Sequence, residues 1–378
     1  MICFWNKSLQ PHFAVCIHVS FTILIISHTA VFVLTVSLIV HLKIVFFAYF
    51  PKKTFFLLHF LGNLCIIRTT KEGVPPSPPP ATPNPTNAGS HHFLIQGEIM
   101  LKREDIRIRD PFILPDHTEG CYFMYGTTAL KSGDIGAADT FSVYRTTDLE
   151  HFSEPKVIFR GSDVGFWADR DFWAPEVHFY NGKYHLFGSC KADGNCRGTQ
   201  IFVCNTPDGT FVPLSPAPIT PADWECLDGT FWIEDGTPYI VFSHEWVQIK
   251  DGEIWAMPLL PDLTAPAGEP FLLFRASDDP AVTELHTGSG NYVTDGPFLF
   301  RESGKLRMLW SSFHGERYLV LESESESGTL RGPWRHLGSR FPFDGGHAML
   351  FNRFDGTRMI SLHNPNQAGL ERAVFLLY

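Results

Sequence analysis

Asp110, Asp228 and Asp295 are the residues best suited to chemistry in this 378-residue chain, because each heads an apolar run of strand-forming residues. The first case is Ile108-Arg109-Asp110-Pro111-Phe112-Ile113. Proline lacks an N–H, so it belongs at the first residue of a strand or at an edge. That places Asp110 at the mouth of a strand, where a carboxylate can face a cavity. Trp173 and His347 head two further runs of the same kind. Carboxylates held close together shift one another's pKa values and can divide acid and base roles. Two such groups across a glycosidic bond, with a Trp platform for a sugar ring, form the constellation of a glycoside hydrolase.

These residues converge only if the chain brings the heads of its runs together, and a repeat provides that. Each copy has an apolar run, a Gly-containing turn and a second run. The turns fall at Glu119-Gly120, Asn181-Gly182, Asp235-Gly236, Ser303-Gly304 and Asp355-Gly356. Asn-Gly, Asp-Gly and Ser-Gly accept the positive φ of tight hairpins. Copies begin 52 to 67 residues apart, and further short runs follow each hairpin. A hairpin plus two strands at this period is a propeller blade. Five copies predict an all-β, five-bladed β-propeller, with Asp110, Trp173, Asp228, Asp295 and His347 as equivalent first residues around one channel.

Composition agrees. Aromatics are 14% and charged residues 19%, with 31 Gly and 28 Pro, which suits short strands and turns. The net charge of -10 argues against a nucleic-acid surface. Residues 1–71 carry six Lys or Arg and no acid, and Phe13–Leu42 has no charged residue at all. That stretch is long enough to span a bilayer as a helix. It reads as a membrane anchor, an export signal or sequence upstream of the true start. The location is extracellular, periplasmic or membrane-anchored if this segment is genuine, and cytoplasmic otherwise. Residues 72–92 are a Pro-rich, extended linker, and 93–378 form the propeller. The eight cysteines contain no CxxC pair, so buried thiols or a disulfide are expected before a metal site. His244-Glu245 begins a zincin-like pattern, but Gln248 stands where the second His is required.

The chain resembles glycoside hydrolase family 43 from about Ile106 to Tyr378. The resemblance rests on five motifs in order: Arg-Asp-Pro-Phe at 109–112, Phe-Trp-Ala-Pro-Glu-Val at 172–177, Leu-Asp-Gly-Thr-Phe at 227–231, Thr-Asp-Gly-Pro-Phe-Leu at 294–299 and Gly-Gly-His-Ala-Met-Leu-Phe at 345–351. It implies inverting cleavage of arabinose- or xylose-containing glycans, of the arabinofuranosidase or xylosidase type, with an oligo- or polysaccharide as partner. Asp110 then matches the general base, and Asp228 the carboxylate that orients the acid and tunes it. The family's acid is a Glu before Gly-Pro, and here that position is Asp295, one methylene shorter. Glu245 is the rival proton donor, since antiparallel pairing returns it to the end where Asp228 begins. Trp173 and His347 are expected to bind substrate. His347 also matches a channel histidine that faces a central ion, typically calcium with water; no cofactor is required for the chemistry. Two alternatives remain open. One is a retaining fructosidase-like enzyme with Asp110 as nucleophile, Asp171 as stabiliser and Glu225 as acid/base. The other is a propeller that binds glycans without cutting them. Specificity is expected from rim loops at 129–140, 191–199 and 278–291.

Overall fold

The computed structural model describes residues 98–128, 139–341 and 343–378, with strands alone before them: Phe93–Ile95 and five short strands within residues 1–71. The chain divides into two compact units, Met1–Asn87 and Ala88–Tyr378. In the first, Ile2–Phe4 pairs with Val15–Ile17, and Ile44–Phe46, Thr54–Leu61 and Leu64–Lys71 form a second antiparallel sheet. Apart from Val15–Ile17, the Phe13–Leu42 stretch lies outside the described residues, as does the Pro-rich linker. Among the described residues no helix is long and apolar enough to cross a membrane.

The second unit is a five-bladed β-propeller. Blade 1 pairs the inner strand Ile108–Asp116 with Cys121–Thr128 and then Thr140–Thr146, and its outer edge adds Glu98–Lys102 and Phe93–Ile95. Blade 2 runs outward as Arg170–Tyr180, Lys183–Lys191, Gly198–Cys204 and Val212–Pro213. Blade 3 is Cys226–Glu234, Thr237–His244, Glu253–Pro258 and Phe271–Arg275. Blade 4 is Asp295–Glu302, Lys305–His314, Arg317–Ser325 and Trp334–Phe341. Blade 5 has three strands, Gly346–Asn352, Arg358–Asn364 and Arg372–Leu377.

Three of the expected hairpins are two-residue turns with both φ positive: Asn181-Gly182, Asp235-Gly236 and Ser303-Gly304. The turns at Gly120 and Gly356 are longer, closed by Gly120 N–H to Asp116 O and by Arg353 N–H to Thr357 O.

The core lies between the blades. Phe141, Phe159, Phe172 and Phe202 pack between blades 1 and 2, with ring centroids 4.6 to 6.3 Å apart. Each is buried, and each such side chain contributes about 2–3 kcal/mol of transfer free energy. The ring closes where blade 5 meets blade 1. There Ser361 Oγ donates to Pro111 O at 2.7 Å, Arg107 bridges Arg372, and Arg103 donates to Ala373 O at 3.0 Å.

Candidate active site

Each inner strand breaks its pairing with the second strand for two residues, at the same place in all five blades. The register skips from Arg109 to Phe112, Trp173 to Glu176, Leu227 to Thr230, Asp295 to Phe298 and Gly346 to Met349. The first unpaired residue has a positive φ every time: Asp110 at 54°, Ala174 at 45°, Asp228 at 56°, Gly296 at 53° and His347 at 54°. For the non-glycine residues this backbone costs about 1–2 kcal/mol each. Such strain gathers where side chains must be aimed.

The N–H freed by each bulge needs a partner. Ala174 N–H donates to Thr127 Oγ1 at 2.7 Å, Asp228 N–H to Ser189 Oγ at 2.9 Å, and His347 N–H to Ser311 Oγ at 2.8 Å. Asp110 N–H donates to His363 Nδ1 at 3.3 Å. These acceptors hold equivalent places on the second strand of the preceding blade. The exception is Gly296, whose N–H donates to Asp228 Oδ2 at 3.0 Å. Ser243, the acceptor expected there, is left buried without a partner.

This wheel corrects one expectation. Trp173 and Asp295 are not equivalent to Asp110, Asp228 and His347; each stands one residue before its bulge, level with Arg109, Leu227 and Gly346. The true counterparts in blades 2 and 4 are Ala174 and Gly296. The first residue of an apolar run therefore does not mark the bulge.

The carboxylates do converge. Asp110 Oδ2 accepts from Thr127 Oγ1 at 2.6 Å, and Asp110 Oδ1 lies 3.3 Å from His347 Nδ1 and 3.4 Å from His363 Nδ1. The same His347 Nδ1 is 3.6 Å from Asp228 Oδ2. Burial pushes the Asp110 carboxyl up, but His347 and Arg109 hold it well below the ordinary carboxylate range. Burial, reinforced by the charge of Asp110, pushes Asp228 well above that range. Asp295 is raised to about 7, by burial first and by Asp228 second, against a hydrogen bond from Tyr318. The cluster thus separates Asp110, which stays ionised, from the coupled pair Asp228 and Asp295, in which the charge on one keeps the proton on the other. A base needs the first condition and a proton donor the second.

Glu245 follows the second strand of blade 3, and its N–H donates to Glu225 O at 2.8 Å. Its carboxylate is ion-paired with Arg197. Burial raises Glu245 and Arg197 opposes the shift. Its charge acts on both Asp228 and Asp295, so the two proton-donor candidates share one surrounding. Arg197 also holds Asp171 Oδ2 at 2.8 Å, and its guanidinium lies 4.2 Å from the centre of the Trp173 ring. Trp173 is half-buried, with one face given to that cation.

As a metal ligand, His347 stands alone. Among the described residues no group of three or more His, Cys, Asp or Glu converges as a cation site, and His347 Nδ1 is already directed at two carboxylates. This donor set does not fit an ion caged by protein ligands.

Glu225, the acid/base of the retaining alternative, accepts from Lys191 Nζ at 2.6 and 2.7 Å and from Arg197 N–H at 2.9 Å. Burial opposes, but these donors lower its pKa, which suits a clamp and not a proton donor. Glu176, left without a role by the sequence, accepts from Thr230 Oγ1 at 2.6 Å and ties blade 2 to blade 3. Sequence reasoning missed Thr127, His363, Tyr318 and Arg197. Thr127 and His363 could have been found by aligning second strands; Arg197 comes from the expected rim loop at 191–199. Nothing in the sequence marks Tyr318. The five described cysteines, Cys121, Cys190, Cys196, Cys204 and Cys226, are free thiols. Of the other rim loops, residues 129–138 lie outside the described residues.

Comparison with known proteins agrees with this geometry. The model for "Glycosyl hydrolases family 43" matches residues 105–377. A solved endo-arabinase from Bacteroides thetaiotaomicron VPI-5482 is 39% identical, with 73% of this chain and 96% of that chain covered and a TM-score of 0.67. A thermostable family-43 glycoside hydrolase, at 24% identity, covers 71% of this chain and 88% of its own with a TM-score of 0.60, and supports the fold. Among curated proteins, a probable arabinan endo-1,5-alpha-L-arabinosidase A from Aspergillus clavatus is 21% identical over 221 residues, 54% of this chain and 58% of that protein. Xylosidase/arabinosidase 43A from Humicola insolens is 23% identical over 141 residues, 36% of this chain and 40% of that protein. The chain thus spans about half the length of these two relatives.

Proposed function

The chain belongs to glycosyl hydrolase family 43, and on that premise we propose that it hydrolyses arabinosyl or xylosyl linkages of plant-type polysaccharides by inversion. Arabinan is the favoured substrate, because the relative at 39% identity is an endo-arabinase. The observation that carries the reading is the meeting of Asp110 and Asp228 on the His347 imidazole, with Asp228 Oδ2 also holding the backbone beside Asp295, in a buried cluster that lowers the pKa of Asp110 and raises that of Asp295.

In this mechanism the ionised Asp110 takes a proton from a water as the water oxygen bonds to the anomeric carbon. Asp295 gives its proton to the glycosidic oxygen, which leaves with the electron pair of the broken C–O bond. One water is consumed, Asp110 ends protonated and Asp295 ionised, and exchange with solvent restores both. Burial, reinforced by Asp228 beside it, keeps Asp295 protonated near neutrality, and Asp228 Oδ2 holds the Gly296 backbone in place. His347 contacts both Asp110 and Asp228 and fixes their relation. Trp173, backed by Arg197, forms a wall for the sugar.

The test is hydrolysis of debranched arabinan, xylan and aryl arabinofuranosides and xylosides, with the first-formed anomer read by NMR. Inverted product and loss of turnover in Asp110→Asn are expected. A retained anomer overturns inversion, and full activity in Asp110→Asn overturns its assignment as base. Binding of arabinan without any turnover leaves a glycan-binding propeller in place of an enzyme.

A further inference from the structure

A proton donor must present its proton on the oxygen that faces the leaving group. Asp295 Oδ2 accepts a hydrogen bond from the Tyr318 hydroxyl at 2.9 Å. The Tyr318 side chain is buried and held on several sides. Its ring stacks on His363, with centroids 5.7 Å apart and planes 22° from parallel. It meets Phe313 at 5.0 Å. Gly346 forms the other wall: a Cβ built there would stand 2.2 Å from Tyr318 Cε1 and 2.4 Å from Cδ1. The backbone N–H of Tyr318 donates to Asp344 Oδ1 at 3.0 Å. Burial and the nearby carboxylates keep the phenol pKa well above its ordinary value, so the hydroxyl remains a donor.

We propose that Tyr318 is a positioning residue for the proton donor. By occupying Oδ2 of Asp295 it leaves Oδ1 as the oxygen that carries the transferable proton. Through its stack on His363, the ring that also contacts Asp110, it ties the orientation of the acid to that of the base. This inference rests on the function proposed above. The hydroxyl itself transfers nothing. The proton moves from Asp295 Oδ1 to the leaving oxygen, and the carboxylate left behind keeps the Tyr318 hydrogen bond, which strengthens as charge develops. An aspartate has one rotatable bond fewer than a glutamate, so its oxygens follow the strand closely. A fixed partner on one of them then determines where the proton points.

The experiment is Tyr318→Phe, which keeps the ring and removes the donor. A donor to the ionised form lowers a carboxyl pKa. Its loss is expected to move the alkaline limb of kcat/KM upward by about one pH unit. On arabinan kcat is expected to fall about tenfold with KM unchanged, since proton donation contributes on the order of a hundredfold or more. On a 2,4-dinitrophenyl arabinofuranoside, whose leaving group needs no proton, the loss is expected to vanish. The ratio between the two substrates is independent of the fraction of folded enzyme. An alkaline limb where the wild type has it, or equal losses on both substrates, overturns the inference. A wild type that turns over neither these substrates nor xylan and aryl xylosides overturns the functional reading instead.

Discussion

Replacing Asp295 by Asn separates the two things that residue does, because it removes the proton and leaves the shape. Burial and the neighbouring Asp228 raise its pKa from 3.8 to about 7. In the unfolded chain the proton leaves near the lower value, in the folded protein near the higher one. Between them the folded state binds more protons, so stability falls as pH rises through that window and the full cost is carried above it. The difference converts to about 4 kcal/mol at most, and part of it is shared with Asp228, so ~2–4 kcal/mol is the expected reading. Asn has no proton to lose, and its carboxamide oxygen can still accept from Tyr318. Urea unfolding of both proteins at pH 4 and pH 8 measures the effect. The variant is expected to gain ~2–4 kcal/mol over the wild type between the two pH values, while kcat on arabinan falls by about a hundredfold or more. An equal stability difference at both pH values refutes the raised pKa. If Asp295→Asn keeps its activity and Glu245→Gln loses it, the proton donor is Glu245.

The other predictions concern the wheel of bulges. Gly296→Ala places a methyl 2.8 to 3.0 Å from the His347 ring at a φ of 53°; a stability loss of about 2–4 kcal/mol in a thermal or urea melt is expected. The displaced imidazole would also release Asp110 and Asp228, so the acid limb of the kcat/KM profile should move upward. Ser189→Ala leaves the Asp228 N–H unpaired and should cost about 1–3 kcal/mol. Ser243→Ala removes a hydroxyl that is already without a partner and should be neutral or slightly stabilising in the same melt. Asp110→Asn should lower kcat by about a hundredfold or more.

The propeller was legible because its signals are local and repeated. Asn181-Gly182, Asp235-Gly236 and Ser303-Gly304 announce hairpins by the φ they tolerate, and apolar runs on both sides supply the strands. Asp110 and Asp228 were legible because each sits where such a run begins. The one-residue offset of Trp173 and Asp295 was not. A bulge adds a residue that leaves no trace in hydropathy, and only the pairing with Ser189 and Ser311 reveals it. Arg197 and Tyr318 were hidden for another reason. Each reaches the site from a position whose neighbours in sequence do no chemistry: one from a rim loop, the other from the third strand of blade 4. Their partners, Glu245 and Asp295, are 48 and 23 residues away.

The departures from five-fold regularity are what make the ring a chemical site. In three blades the freed N–H meets a neutral hydroxyl, a purely structural solution that any Ser or Thr can provide. At the join of blades 5 and 1 the hydroxyl is replaced by His363, and that imidazole also lies against Asp110 Oδ1. At the join of blades 3 and 4 the hydroxyl of Ser243 is bypassed, and Asp228 takes the N–H of the residue after Asp295. That hydrogen bond lowers the Asp228 pKa against the burial that raises it. It also fixes the backbone that carries Asp295. A substitution at Asp228 should therefore affect both the protonation of Asp295 and its placement. The Asn variant, whose carboxamide oxygen can still accept the Gly296 N–H, separates them. It should keep the fold while lowering the alkaline limb, because the neighbour that holds up the Asp295 pKa has lost its charge.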